Sequence, residues 1–217
     1  MKKALMIVAL LLTVGMVNAQ SDAKAKEILD EVSAKTKTFK NMSADFIFSM
    51  VNKEMDINEQ NEGTIKLKGQ KYKVALPGTG YEIYSDGNTI WTYMRDGNQV
   101  TITHVEEDGG ESIDNPASIF SIYERGFRSK FVAETQEGGK TLYQIELFPD
   151  SDEYQVTKIE VSINKATLML DAATLHSTDG NLYGIVVKKM ETNIDLQDSD
   201  FVFDASQHPD VEMIDLR

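Results

Sequence analysis

The sequence predicts a mainly β protein with some α (α+β). We expect a single curved antiparallel sheet, an incomplete β-barrel of about 10–11 strands, covered by an N-terminal helix and a short central helical lid. Three observations carry this. Apolar residues alternate with polar ones at period two over most of the chain after residue 41. Gly- and Asn-rich turn signals recur between the short alternating runs. Two stretches have helical rather than strand spacing, and no βαβ spacing is visible.

The chain opens with Lys2 and Lys3, then an apolar run from Ala4 to Val14 broken only by Thr13, then Val17-Asn18-Ala19. That is the three-part pattern of an export signal, cleaved after Ala19. The apolar run is too short to span a bilayer, which takes about 20 residues. We therefore read residues 1–19 as a cleaved signal peptide and residues 20–217 as one domain, exported to the periplasm. Gln20 stands where a lipoprotein would carry an acylated Cys.

Asp22 to Phe39 reads as an amphipathic helix. Ala25, Ile28, Leu29, Val32 and Phe39 fall on one side, and Lys24, Lys26, Glu27, Asp30, Glu31 and Lys35 on the other. Asn41 ends it. Strand alternation follows in Ala44-Phe46-Phe48-Met50, Ile65-Leu67, Tyr72-Val74-Leu76 and Val100-Ile102. It resumes in Tyr143-Ile145-Leu147, Ile159-Val161-Ile163 and Tyr183-Ile185-Val187. Lysines 66, 68, 71 and 73 mark a wet outer face on the early strands. Asp-Gly-Asn at 86–88, 96–98 and 179–181, Asp108-Gly109-Gly110 and Glu137-Gly138-Gly139 supply the hairpin turns. Between the two strand blocks, Asn115-Pro116 starts a short helix over Ala117 to Arg125, with Ile119, Phe120, Ile122 and Tyr123 apolar. Both helices need an apolar surface to rest on, and the inner face of one curled sheet provides it. A barrel this large has room for apolar cargo.

Composition excludes much. The net charge of −13 disfavours nucleic acid and anionic membrane surfaces. The absence of cysteine removes disulfides, thiolate metal sites and cysteine nucleophiles. His104, His176 and His208 are far apart, and no hydrolase elbow, zinc-protease or phosphate-loop motif occurs. Glu106-Glu107-Asp108 and Asp198-Ser199-Asp200 fall in turns without a calcium-loop pattern. We expect no enzyme, no catalytic residue, no metal and no cofactor.

Several segments, in order, resemble the LolA family of periplasmic outer-membrane lipoprotein carriers, from about Ala23 to Leu216. The N-terminal helix runs into Met42-Ser43-Ala44-Asp45-Phe46. Gly63-Thr64-Ile65-Lys66-Leu67-Lys68 is similar to the family's second strand. Ser85-Asp86-Gly87 followed by Ile90-Trp91-Thr92-Tyr93 resembles its strongest local signature. Asp200-Phe201-Val202-Phe203 with His208-Pro209-Asp210-Val211 resembles its closing element. One departure is Gly69-Gln70, where family members often carry the Arg-Pro associated with closing the lid. No latching role is therefore transferred.

The resemblance implies a half-barrel that holds the acyl chains of lipoproteins and carries them from the inner to the outer membrane. The implied partners are acylated lipoproteins and an inner-membrane ATP-driven release complex, with an outer-membrane receptor left open and the carrier itself a monomer. The acyl-chain cavity would be lined by Phe46, Phe48, Ile65, Leu67, Tyr72, Val74, Leu76, Trp91 and Tyr93. The lid would present Ile28, Leu29, Val32, Ile119, Phe120, Ile122 and Tyr123. Whether Trp91 or Ile90 faces inward depends on turn length, because a one-residue slip swaps the faces. A periplasmic sensor or interaction domain of the same fold, binding lipidated or misfolded envelope proteins to regulate a partner, stays open.

Overall fold

In the computed structural model the described residues are 22–105, 126–151 and 154–217. Residues 22–36 form helix α1. It buries Ala25, Ile28, Leu29 and Val32, the stripe expected from helical spacing. The helix stops three residues short of Phe39. Thr38 and Phe39 N–H groups bond the Lys35 and Thr36 carbonyls at 3.0 and 3.1 Å, so the last turn tightens to i→i+3 bonding. Asn41 then pins the exit. Its side-chain amide donates to the Ile194 carbonyl and its oxygen accepts from the Ile194 N–H, both at 2.9 Å.

Among the described residues twelve strands follow in one sheet. They are β1 (Met42–Asn52), β2 (Ile57–Lys68), β3 (Lys71–Leu76), β4 (Tyr81–Ser85), β5 (Thr89–Met94), β6 (Gln99–His104), β7 (Phe127–Glu137), β8 (Lys140–Pro149), β9 (Val156–Asn164), β10 (Met169–Ser177), β11 (Leu182–Thr192) and β12 (Glu212–Asp215). The spatial order is β12-β6-β5-β4-β3-β2-β1-β11-β10-β9-β8-β7. Strands β1 to β6 and β7 to β11 are two antiparallel meanders, joined where β11 pairs β1. The sheet is curved and unclosed, an open half-barrel. The hairpin turns fall at 86–88, 96–98, 137–139 and 179–181 as expected. The turn at 108–110 and the helix of 117–125 lie outside the described residues. Glu212–Asp215 adds a strand beyond the 10–11 expected: β12 pairs β6 in parallel.

Register fixes the faces. On the inner face, shared with α1, Ala44, Ile65, Val74 and Ile83 stand opposite one another across β1 to β4. Phe48, Ile185, Ala173, Val161, Ile145 and Phe131 make a second row across β1 and β11 to β7. On β11 an extra residue, Lys188, falls between the partners of Asp45 and Phe46, and this bulge sets Val187 inward opposite Phe46.

Residues 193–211 cross the outer face of β2 to β6 as a strap. Lys68 donates to the Leu196 carbonyl at 2.9 Å, and Asp198 pairs with Lys68 and Lys71 at 2.9 and 2.8 Å. Those two ammonium groups, Lys71 first, hold the Asp198 carboxyl down at about 2. Phe201 is fully buried. Phe203 packs against Tyr84 and Tyr93 with ring centroids 5.8 and 5.2 Å away, and His208 stacks on Phe203 at 4.7 Å.

Candidate functional site

The inner face is one apolar surface built by strand alternation, and α1 covers part of it. Of the residues expected to line it, Phe46, Ile65, Tyr72 and Val74 are buried in the main cluster, and Phe48, Leu67 and Leu76 are half-buried at its margin. Ile28, Leu29 and Val32 of α1 pack onto the same cluster. Ile119, Phe120, Ile122 and Tyr123 lie outside the described residues.

Trp91 and Tyr93 need correcting. Ser85 pairs with Ile90, and Tyr84 with Trp91. Ser85 shares the inner face with Tyr72, so Ile90 points inward and Trp91 outward. Tyr93 is buried in a separate outer cluster with Tyr84, Val100 and Phe203, and Trp91 packs against that cluster. The cause is the connection 86–88, closed by the Asp86 N–H bonding the Thr89 carbonyl, and it sets the phase of β5.

Sequence reasoning also left out half of the surface. Ile145, Leu147, Ile159, Val161, Leu175 and Val187 are buried in the inner cluster, with Tyr143, Tyr183 and Ile185 half-buried beside them. The period-two signal in β8, β9 and β11 carried this information.

Gly63 shows how closely the face is built. It stands opposite Phe46, and a Cβ there would meet Phe46 Cζ at 2.6 Å and Leu76 Cδ2 at 2.7 Å. The missing side chain lets the Phe46 ring lie across β2. Burial pushes the Tyr72 phenol up, with the Ser85 hydroxyl beside it partly offsetting that, so Tyr72 is neutral and compatible with an apolar occupant. At the β7 end, a cavity of about 660 Å³ opens between α1 and the start of β7, with Leu29 and Phe127 in its wall and Lys26, Asp30 and Arg128 at its rim. The Lys24 ammonium sits 3.7 Å over the Phe131 ring.

Among the described residues no three His, Asp or Glu side chains cluster as metal ligands do. Nor is any helix among them long and apolar enough to cross a membrane. What the surface can do is exclude water from an apolar ligand.

Known proteins bear on this geometry. The solved structure of an uncharacterized conserved protein from Thermus thermophilus is 13% identical, aligns over 88% of this chain and 99% of its own, and gives a TM-score of 0.59. A LolA superfamily protein from Nitrosomonas europaea is 12% identical over 82% of this chain and 97% of its own, with a TM-score of 0.42. Mycobacterium tuberculosis lipoprotein LppX is 12% identical over 79% and 98%, with a TM-score of 0.47. No curated protein sequence matches the chain. The family model described as outer membrane lipoprotein carrier protein LolA matches residues 37–204, from the end of the helix through both meanders and into the strap, and the chain therefore belongs to the LolA family.

Proposed function

We propose that this protein, exported to the periplasm and cleaved after Ala19, binds the acyl chains of lipoproteins against its inner face and carries them from the inner to the outer membrane. Cargo is taken from an ATP-driven release complex in the inner membrane. One observation carries the reading: the inner face has more large apolar side chains than α1 covers. Phe48, Leu67, Leu76, Tyr81, Tyr183 and Ile185 are packed at the cluster's margin yet only partly buried. Side chains of this kind ordinarily sit in a filled core, and contiguous apolar surface left open marks a binding site.

The energetics give such a surface its use. Each CH₂ taken out of water is worth about 0.8 kcal/mol, so a sixteen-carbon chain resists exposure by roughly 12 kcal/mol. Diffusion across an aqueous compartment then requires a partner that replaces most of that burial. A curved, half-covered sheet offers apolar contact on one side without the permanence of membrane insertion.

The test is acyl dependence. Mixed with a triacylated lipopeptide in detergent-free buffer, the purified protein should hold it in a soluble one-to-one complex, and Ile185→Asp should abolish that complex while the circular dichroism spectrum is retained. Equal binding of the same peptide without its acyl chains would sink the reading.

A further inference from the structure

An open sheet has two edges, and this one treats them differently. At one end β7 carries Arg128, Lys130, Glu134 and Glu137, with a bulge between Phe131 and Ala133. Charges and bulges discourage pairing with foreign strands. At the other end β6 reads Gln99-Val100-Thr101-Ile102-Thr103-His104. It has no Asp, Glu, Lys, Arg, Pro or Gly, and four of its six residues are β-branched. An uncharged run of that length and composition pairs readily with further strands.

This edge is capped by the chain's own C-terminal strand. Glu212 to Asp215 lie parallel to Gln99 to Ile102. The Glu212 N–H donates to the Asn98 carbonyl and the Leu216 N–H to the Ile102 carbonyl, both at 2.9 Å. The cap is slight. It has four residues, and Glu212, Met213 and Asp215 are exposed. Its approach is tied down by the Asn98 side chain, which donates to the Pro209 carbonyl at 3.0 Å. It also places two carboxylates, Glu212 and Asp215, on what becomes the outermost strand.

We propose that β12 is an edge guard, and that the surface it guards pairs with β6 of a second copy of this chain. The fit is self-complementary. Carbonyls of Asn98 and Ile102 point outward to β12, so Val100 and Ile102 present the free edge groups once β12 leaves. An antiparallel two-fold pairing sets Val100 opposite Ile102, Gln99 opposite Thr103 and Thr101 opposite itself. Val100 and Ile102 stay on the outer face with their own copy's Tyr93 and Trp91, and the threonines stay on the inner face. No charge is buried by this pairing.

The experiment uses a chain truncated after Val211, which keeps Phe203 and His208 of the strap, with Thr101→Cys as reporter in a protein that has no cysteine. Thr101 opposite Thr101 is a non-hydrogen-bonded pair with Cα atoms about 4.5 Å apart, within disulfide reach. Light scattering should give the mass of two chains, mild oxidation should crosslink them, and an added peptide of residues 210–217 should return the monomer. The untruncated Thr101→Cys protein should stay monomeric and uncrosslinked. Ile214→Pro in the full chain, which removes the donor midway between Glu212 and Leu216, should reproduce the dimer without shortening the protein. A folded monomer from Ile214→Pro overturns the proposal, as does self-association that neither crosslinks at residue 101 nor yields to the peptide.

Discussion

Gly63→Ala separates a filled core from a surface with room beside it. The added methyl would lie 2.6 and 2.8 Å from Phe46 Cζ and Cε2 and 2.7 Å from Leu76 Cδ2, against an ordinary carbon–carbon contact of about 3.5–4.0 Å. The ring must retreat by about 1 Å. In a close-packed interior such overpacking costs about 1–3 kcal/mol. Here both clashing groups are side-chain ends, and Leu76 is only half-buried. They can swing over the inner face, so the cost falls at the low end, about 1–1.5 kcal/mol. For a chain of this size that is a Tm drop of about 2–6 °C. The displaced ring takes space from an occupant, and each CH₂ excluded weakens acyl binding roughly 4-fold. Gly184→Ala is the control, because its methyl would meet Ser49 Oγ on the outer face and should lower Tm without touching affinity. Thermal circular dichroism and titration with a fluorescent acyl probe read both quantities. A drop of about 10 °C for Gly63→Ala with unchanged affinity would refute the reasoning, since Phe46 would then be locked in a filled core.

Two other expectations concern the outer face. Phe203→Ala should cost about 3–5 kcal/mol and shift Trp91 emission to the red, because Trp91 packs on the Tyr84, Tyr93 and Phe203 cluster; acyl cargo should leave that emission unchanged. Lys158 bridges Glu146 and Glu160, which stand directly opposite each other, at 3.0 and 2.7 Å, and its hydrogen bonds are the largest influence holding both carboxyls below their usual 4.5. A depressed carboxyl pKa contributes stability that is present above the unfolded value and lost as pH falls through the folded one. Lys158→Gln should therefore lower stability near neutral pH by about 1 kcal/mol at most and shrink the Tm difference between about pH 7 and about pH 3; an unchanged difference would show that the bridge contributes nothing.

The half-barrel was legible because its determinants are local. Period two in β1, β8, β9 and β11 gave strands, and the turns at 86–88, 96–98, 137–139 and 179–181 gave their connections. The phase of β5 was not legible, for a reason that lies more than 100 residues downstream. Lysines 66, 68, 71 and 73 announce a wet outer face on β2 and β3, but Thr89–Met94 carries no charged residue to mark one on β5. The strap brings Phe203 and Val211 onto the outer face of β4 to β6, so Ile90 and Trp91 are both sheltered and the alternation that would tell them apart disappears. The same distance hid β12. A parallel edge strand needs no turn signal next to its partner, and Glu-Met-Ile-Asp has no periodicity long enough to read.

The two faces divide the labour in a way that suits the proposed binding of apolar cargo. A sheet stabilised mainly by what fills its inner face would loosen each time it emptied. Here part of the holding lies elsewhere. The outer face of the first meander is held by the strap, with Phe201 fully buried, Phe203 between two tyrosine rings, and Asp198 between two lysines. The outer face of the second meander is laced by Lys130, Glu146, Lys158 and Glu160 across β7 to β9. Neither set touches the inner face. On the proposed reading, occupancy of that face changes while the outer scaffold stays intact, and Trp91 and Tyr93, expected from the sequence to line the cavity, belong to that scaffold.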